Sequence, residues 1–254
     1  MMVSQAGGFY LERPLIFAHR GASDVAPENT MAAFRAALEA GADGVELDVT
    51  RCATGEIVVI HDDTVDRTTN GTGPVSAMPL FALRELDAGS WFSSQFAGER
   101  IPMLEEVLDW AVETKMRLNI EIKARNRKGD GIEEEIAGMI RRRNLESQVI
   151  VSSFNPLALK RTKQVAPELP CALLYAAGGP TLGKKPLARF FLQLEALHPH
   201  FAMVDEKFMR WAVRQGYKVN VWTVNEPAEM VRMIHLGVDG IITDHPSKLR
   251  QLLE

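Results

Sequence analysis

The chain reads as an α/β protein whose parallel strands close into a (β/α)8 barrel. Three observations predict this fold. Short apolar, β-branched runs alternate with stretches of helical period along most of the 254 residues, the pattern of a parallel sheet covered by helices. Nine strand candidates are present, and one link between them is too short for a parallel crossover, which leaves eight strands for a closed barrel. Four of the runs end in charged or imidazole groups, whose burial is costly unless they share one polar site.

The first strand candidate, residues 15–18, runs into His19-Arg20-Gly21. A helix over 30–40 follows, with Asn29 or Thr30 as its cap and Gly41 as its stop. Strands 44–50 and 57–60 are joined by residues 51–56 alone, whereas a parallel crossover needs roughly a dozen residues, so the two form an antiparallel hairpin. A turn centred between Ala53 and Thr54 places Glu46 opposite His61. Residues 62–103 show no clean period, and Asn70-Gly71-Thr72-Gly73-Pro74 marks a tight turn. A stretch of that length without regular structure is rare inside a compact domain unless it serves a site, so a small insertion over the barrel mouth is expected. Within it, Trp91 and Phe92 are expected to pack the insertion onto the barrel rather than to face a substrate. Helices over 104–114, 132–142, 156–165, 206–215 and 227–236 alternate with strands over 117–122, 149–153, 172–175, 195–198, 218–223 and 240–243. Residues 176–188, rich in Gly, Pro and Lys, form a candidate second insertion. One domain is expected over 14–254, after a polar tail over 1–13.

A chain of this length suits a single α/β barrel, which often runs to about 200–250 residues. The formal charge of −4 and the lack of a dense basic face exclude a nucleic-acid footprint. The one basic cluster, Arg141-Arg142-Arg143, falls at a helix end, where cations suit the negative end of the dipole. The first apolar run after the polar N-terminus, residues 15–18, is too short for a signal-peptide core or a spanning helix. A soluble, cytoplasmic protein without membrane insertion is therefore expected. Cys52 and Cys171 match no metal knuckle or disulfide framework and read as free thiols of a reducing compartment.

In a (β/α)8 barrel the active site lies at the carboxyl ends of the strands, where the charged endings fall. Glu46 and Asp48 are two apart on one strand and share a face, and Glu121 and Lys123 repeat the arrangement on another. Either pair alone also fits an exposed strand face. Brought together, three carboxylates repel one another unless a cation sits among them, and all-oxygen ligation suits Mg2+ or Ca2+. His19 and His61, each ending an apolar run beside a charge, are the natural proton handlers near neutral pH. Arg20 and Lys123 supply positive charge for phosphate oxygens. Glu28 is placed to orient such a group, and Asn29 reads as a helix cap. Trp222 offers a flat apolar wall to a carbon skeleton, or simply packs. Ser152-Ser153-Phe154 and His198-Pro199-His200 end strands and are candidates to line the pocket, whereas His235 and His245 look structural.

Taken in order, His19-Arg20-Gly21, Pro27-Glu28-Asn29-Thr30, Glu46-Leu47-Asp48-Val49, His61-Asp62-Asp63, Glu121-Ile122-Lys123, Trp222-Thr223-Val224-Asn225 and Thr243-Asp244 closely resemble the glycerophosphodiester phosphodiesterase family. The resemblance runs from about His19 to Pro246. It implies a TIM barrel of the phosphodiesterase type that hydrolyses glycerophosphodiesters to sn-glycerol 3-phosphate and an alcohol such as choline, ethanolamine or glycerol. It also implies that Glu46, Asp48 and Glu121 hold a divalent metal ion and that His19 and His61 are the acid/base pair. By the same resemblance Arg20 and Lys123 hold phosphate and Trp222 packs against the glycerol; Glu28, expected to orient such a group, is counted with the substrate-binding residues on the residue reading alone. Family habit points to a homodimer. A lysophospholipase D-like enzyme on the same barrel would need an apolar entrance for acyl chains, for which residues 62–103 are the available segment. A non-catalytic barrel that binds phosphorylated metabolites would have no need of two proton carriers.

Overall fold

In a computed structural model describing residues 8–123, 129–177 and 192–254, eight parallel strands close into a barrel and a ninth lies outside it. The strands are β1 (Leu15–His19), β2 (Gly44–Arg51), β3 (Ile57–Val59), β4 (Arg117–Ile122), β5 (Val149–Ser153), β6 (Cys171–Tyr175), β7 (Ala196–Pro199), β8 (Lys218–Val221) and β9 (Gly240–Thr243). The described helices are α1 (Met31–Glu39), α2 (Leu80–Glu85), α3 (Leu104–Thr114), α4 (Ile132–Arg142), α5 (Pro156–Val165), α6 (Glu206–Gln215), α7 (Pro227–Leu236) and α8 (Pro246–Leu253). β1 pairs in parallel with both β2 and β9 and so closes the ring. Among the named strands, the surplus β3 pairs only with β2, antiparallel, as the short link requires.

The hairpin register differs by one residue from the sequence expectation. Val49 pairs with Val59 and Arg51 with Ile57, so the turn centres on Thr54 and Leu47, not Glu46, falls level with His61. The cause lies in the loop. Gly55 N–H donates to the Cys52 carbonyl at 3.1 Å, and Gly55 then takes a φ of +107°, which glycine adopts without strain. This turn inserts one residue more than a two-residue hairpin has.

Alternation along the strands sorts the side chains into two layers. Leu15 and Phe17 meet Ile150, Ala172, Ala196 and Ile242 inside the barrel. Ile16 and Ala18 join the larger core between strands and helices. His19 keeps the parity of Leu15 and Phe17, and this directs its side chain inward at the strand end. Of residues 1–13, 1–7 lie outside the described residues. Phe9 and Tyr10 are buried in the interior cluster, and Tyr10 Oη accepts from Asn220 Nδ2 at 3.2 Å.

Residues 62–103 hold more order than their sequence pattern suggests. They contain α2 and two single-turn 3-10 helices, Val75–Ala77 and Ser94–Phe96. Val65, Val75, Leu83, Ala88 and Ile101 form a separate small core with Val58 and Ile60 of the hairpin. The insertion is thus built onto the strand that lies outside the barrel. The candidate second insertion over 176–188 lies, from residue 178 onward, outside the described residues. Cys52 and Cys171 are buried free thiols. No helix among the described residues is long and apolar enough to cross a membrane.

Candidate active site

The carboxyl ends of β1, β2, β4 and β8, with the end of the hairpin, surround one cavity of about 190 Å³. Its lining includes His19, Arg20, Glu46, His61, Glu121, Lys123 and Trp222. Four separate strand endings therefore do converge on one polar site.

The two histidines are held alike. His19 Nδ1 lies 2.7 Å from Asp244 Oδ1, and His61 Nδ1 lies 2.6 Å from Asp62 Oδ1. A carboxylate facing Nδ1 accepts a hydrogen bond from the N–H there, which in a neutral imidazole leaves the lone pair on Nε2. His19 Nε2 is 4.0 Å from Glu46 Oε2. Asp244 also accepts from Asn225 Nδ2 at 2.6 Å and Ser23 Oγ at 3.0 Å. Although burial favours its neutral form, His19, Asn225 and Ser23 hold Asp244 down at about 2. For His61, burial is the main influence and lowers its pKa, with Lys123 and Arg20 adding to the effect against Asp48.

Glu46, Asp48 and Glu121 are buried, with oxygens within 4.8 Å of one another. Lys123 Nζ sits 2.9 Å from Asp48 Oδ1 and 2.8 Å from Glu121 Oε1, and Arg20 Nε is 3.3 Å from Asp48 Oδ2. The Arg20 backbone N–H donates to Glu46 Oε2 at 3.2 Å, from a left-handed residue with φ +57°. Gly21 follows at φ +86°, where a Cβ would meet Ala33 Cβ at 2.5 Å. Only glycine lets the strand end sit this close to α1.

Three carboxylates meet two cations here, and the surplus is negative. Burial, then the charges of Asp48 and Glu121, push Glu46 well above the usual carboxylate range. Burial, then Asp48, pushes Glu121 up to about 7. Asp48 is buried too, yet Lys123, Arg20 and His61 keep it below its ordinary value. A set of hard oxygen donors with excess negative charge fits Mg2+ or Ca2+.

Asn29 has a different part from the expected cap. Thr30 caps α1, its Oγ1 accepting from Ala33 N–H at 3.3 Å. Asn29, at φ +56°, turns inward and donates from Nδ2 to Asp48 Oδ2 at 2.9 Å. Glu28 accepts from Arg20 Nη1 at 2.8 Å and from both terminal nitrogens of Arg67. It meets cations and does not line the cavity.

Trp222 donates from Nε1 to the His198 carbonyl at 2.7 Å and meets Phe154 edge-on at 5.4 Å. Phe154 lines the cavity, whereas His198, His200, Ser152 and Ser153 do not. His198 is wholly buried against Asn220, and burial lowers it to about 3. His245 pairs with Asp24 at 2.8 Å. Trp91 and Phe92 stack edge-on with each other outside the cavity. Among the described residues, none of 62–103 lines this cavity, so the segment supplies no acyl entrance there.

The sequence matches the profile of the glycerophosphoryl diester phosphodiesterase family over residues 19–248. A glycerophosphodiester phosphodiesterase of Caldanaerobacter subterraneus is 44% identical over 241 residues, covering 95% of this chain and 98% of the relative. The chain belongs to the glycerophosphoryl diester phosphodiesterase family. It is therefore an enzyme, a phosphoric diester hydrolase. Two solved structures in the family have the same barrel. The Agrobacterium tumefaciens glycerophosphodiester phosphodiesterase is 30% identical, with a TM-score of 0.83 over 94% of this chain and 99% of that one. An Oleispira antarctica phosphodiesterase in complex with the product sn-glycerol 3-phosphate is 32% identical, with a TM-score of 0.83 over 95% and 97%.

Residue-level reasoning does not reach Asp244, Asn225 and Arg67 as parts of the site, and it reaches Asp62 only as the charge beside His61. The available signal was modest: Asp62 directly follows His61, and Thr243-Asp244 ends the last apolar run.

Proposed function

We propose that the enzyme hydrolyses glycerophosphodiesters such as glycerophosphocholine and glycerophosphoethanolamine to sn-glycerol 3-phosphate and the free alcohol. The reaction is metal-dependent, with His19 and His61 as acid and base. The observation that carries this reading is the matched pair of Asp-bound histidines, set in one cavity with three carboxylates and two cations. The product bound by the Oleispira antarctica phosphodiesterase supports the glycerol phosphate half.

Glu46, Asp48 and Glu121 would hold the Mg2+ or Ca2+ ion, which when bound supplies positive charge beside the phosphodiester. Arg20 and Lys123 hold phosphate oxygens and stabilise charge that builds on them. Glu28 fixes the Arg20 guanidinium at 2.8 Å and so acts on substrate through it. Trp222 and Phe154 form the apolar wall for the glycerol carbons. Asn119 lines the cavity with both amide atoms buried and without a partner among the described residues. A glycerol hydroxyl would satisfy it.

His61, whose pKa burial and the nearby cations lower, suits the base. Its Nε2 takes the proton of the attacking oxygen, which is water or the glycerol 2-hydroxyl, the latter giving a cyclic phosphate that water then opens to sn-glycerol 3-phosphate. His19, backed by Asp244, gives a proton to the departing alkoxide as its bond to phosphorus breaks. The buried thiols Cys52 and Cys171 fit a cytoplasmic setting.

The test is release of sn-glycerol 3-phosphate from glycerophosphocholine, with a lysophospholipid as the competing substrate. Mg2+ or Ca2+ should support turnover and EDTA should abolish it. His19→Ala and His61→Ala should each lose about two or more orders of magnitude in kcat with the fold intact. Near-normal turnover in both variants, or preference for the lysophospholipid, would sink the reading.

A further inference from the structure

Arg67, within the 62–103 insertion, is joined to both halves of the site. Its guanidinium grips two carboxylates at once. Nη1 and Nη2 reach the two oxygens of Glu28 at 2.7 and 2.8 Å, and Nε and Nη2 reach the two oxygens of Asp62 at 2.6 and 3.1 Å. Each carboxylate then holds one working group. Glu28 accepts from Arg20 Nη1 at 2.8 Å, and Asp62 faces His61 Nδ1 at 2.6 Å. The chain Arg20–Glu28–Arg67–Asp62–His61 thus ties a phosphate-binding cation to a proton carrier.

We propose that Arg67 is the positioning residue that sets the Arg20 guanidinium and the His61 imidazole in mutual register, and that the insertion serves the reaction through it. The inference rests on the functional reading given above. Four donors in a rigid planar fork suit the task, since a bidentate guanidinium fixes the plane of each carboxylate. A lysine ammonium is a point charge and could fix neither plane. Without Arg67, Glu28 and Asp62 would be two anions beside the site with nothing between them to set their spacing.

The Arg67 side chain is 46% exposed. Its partners are more covered, Glu28 at 13% and Asp62 at 28%, but Glu28 keeps Arg20 and Asp62 keeps His61 as partners, so removing Arg67 should leave the barrel folded and expose its effect on the reaction.

The experiment compares wild type, Arg67→Ala, Arg67→Lys, Asp62→Asn and Arg67→Ala/Asp62→Asn in steady-state hydrolysis of glycerophosphocholine. Arg67→Ala should lower kcat/KM by about 10- to 100-fold, the usual effect of losing an orienting partner. The loss should divide between a lower kcat, through His61, and a higher KM, through Arg20. Arg67→Lys should recover only part of it. On the Asp62→Asn background, removing Arg67 should lower kcat far less than it does in wild type, because the route to His61 is already cut. A second readout needs no turnover: the hydrogen-bonded Nδ1 proton of His61, seen by NMR at low field in wild type, should broaden or move upfield in Arg67→Ala.

Should Arg67→Ala fold poorly, Arg67→Lys and Arg67→Gln carry the same comparison. A kcat/KM within about threefold of wild type in folded Arg67→Ala, full recovery by lysine, additive losses in the double variant, or an unmoved His61 proton would each overturn the inference. If wild type fails to hydrolyse glycerophosphocholine, the substrate reading falls by itself, and the His61 proton still decides the role of Arg67.

Discussion

Stripped of divalent cations, the protein should lose stability as pH rises through neutrality, the reverse of ordinary acid denaturation. The cause is the buried triad. In the fold, burial and the Asp48 charge raise Glu121 from 4.5 to about 7. Between those values the folded protein keeps a proton that the unfolded chain releases. The sign follows by linkage: this stabilisation is complete below the unfolded value and is lost as pH rises through the folded one. Between about pH 6 and 8, Glu121 alone should remove about 1.3 kcal/mol. In a chain of this size that is a fall in Tm of roughly 3–5 °C. Glu46, raised in the same direction, adds to the loss. His61 is lowered and works with the opposite sign in the lower part of the window, so Glu121→Gln is the control that cancels it. The assay is thermal unfolding by circular dichroism across this range in EDTA, repeated with excess Ca2+ or Mg2+. Wild type in EDTA should melt at falling temperature as pH rises, and Glu121→Gln should show a flatter profile. Added cation should raise the Tm more at pH 8 than at pH 6, because it binds the ionised triad. A wild-type profile in EDTA that is flat or rises, or an equal slope in Glu121→Gln, would refute the account.

Two substitutions test the partners of the working groups. Asp244→Asn keeps the shape but offers an amide to His19 Nδ1, which can reverse the tautomer at Nε2. kcat should fall by about 10²- to 10⁴-fold in steady-state assays, and turnover above a tenth of wild type would contradict the role given to Asp244. Asn29→Ala removes the 2.9 Å hydrogen bond to buried Asp48. A cost of about 1–3 kcal/mol in urea unfolding is expected, with weaker Ca2+ binding by calorimetry, and wild-type values for both would return Asn29 to a loop role.

The barrel was legible because most parallel strands are dominated by apolar, β-branched residues and each crossover is long, so the short link before β3 stood out at once. The triad was legible because two residues apart on a strand means the same face. Partnerships across the ring were not. Asp244 meets His19 through the β1–β9 register, and Asn29 meets Asp48 only because Thr30, not Asn29, caps α1. Local pattern carries no information about such contacts. The one-residue slip of the hairpin has the same origin, since turn length alone does not say that Gly55 takes a positive φ. In residues 62–103, α2 spans only Leu80–Glu85, too short to display a helical period, and so its small core had no pattern to announce it.

The pairing of β1 with β9 brings together the first and last strands of the barrel, and His19 meets a partner 225 residues away. During synthesis, the triad residues, both histidines, Arg20 and Lys123 are all available once β4 has emerged. His19 gains its carboxylate partner only when the final strand closes the ring. A barrel whose last turn has not been made thus already holds the acidic triad and its two cations but lacks the carboxylate that fixes the His19 imidazole, so the site is complete only with topological closure.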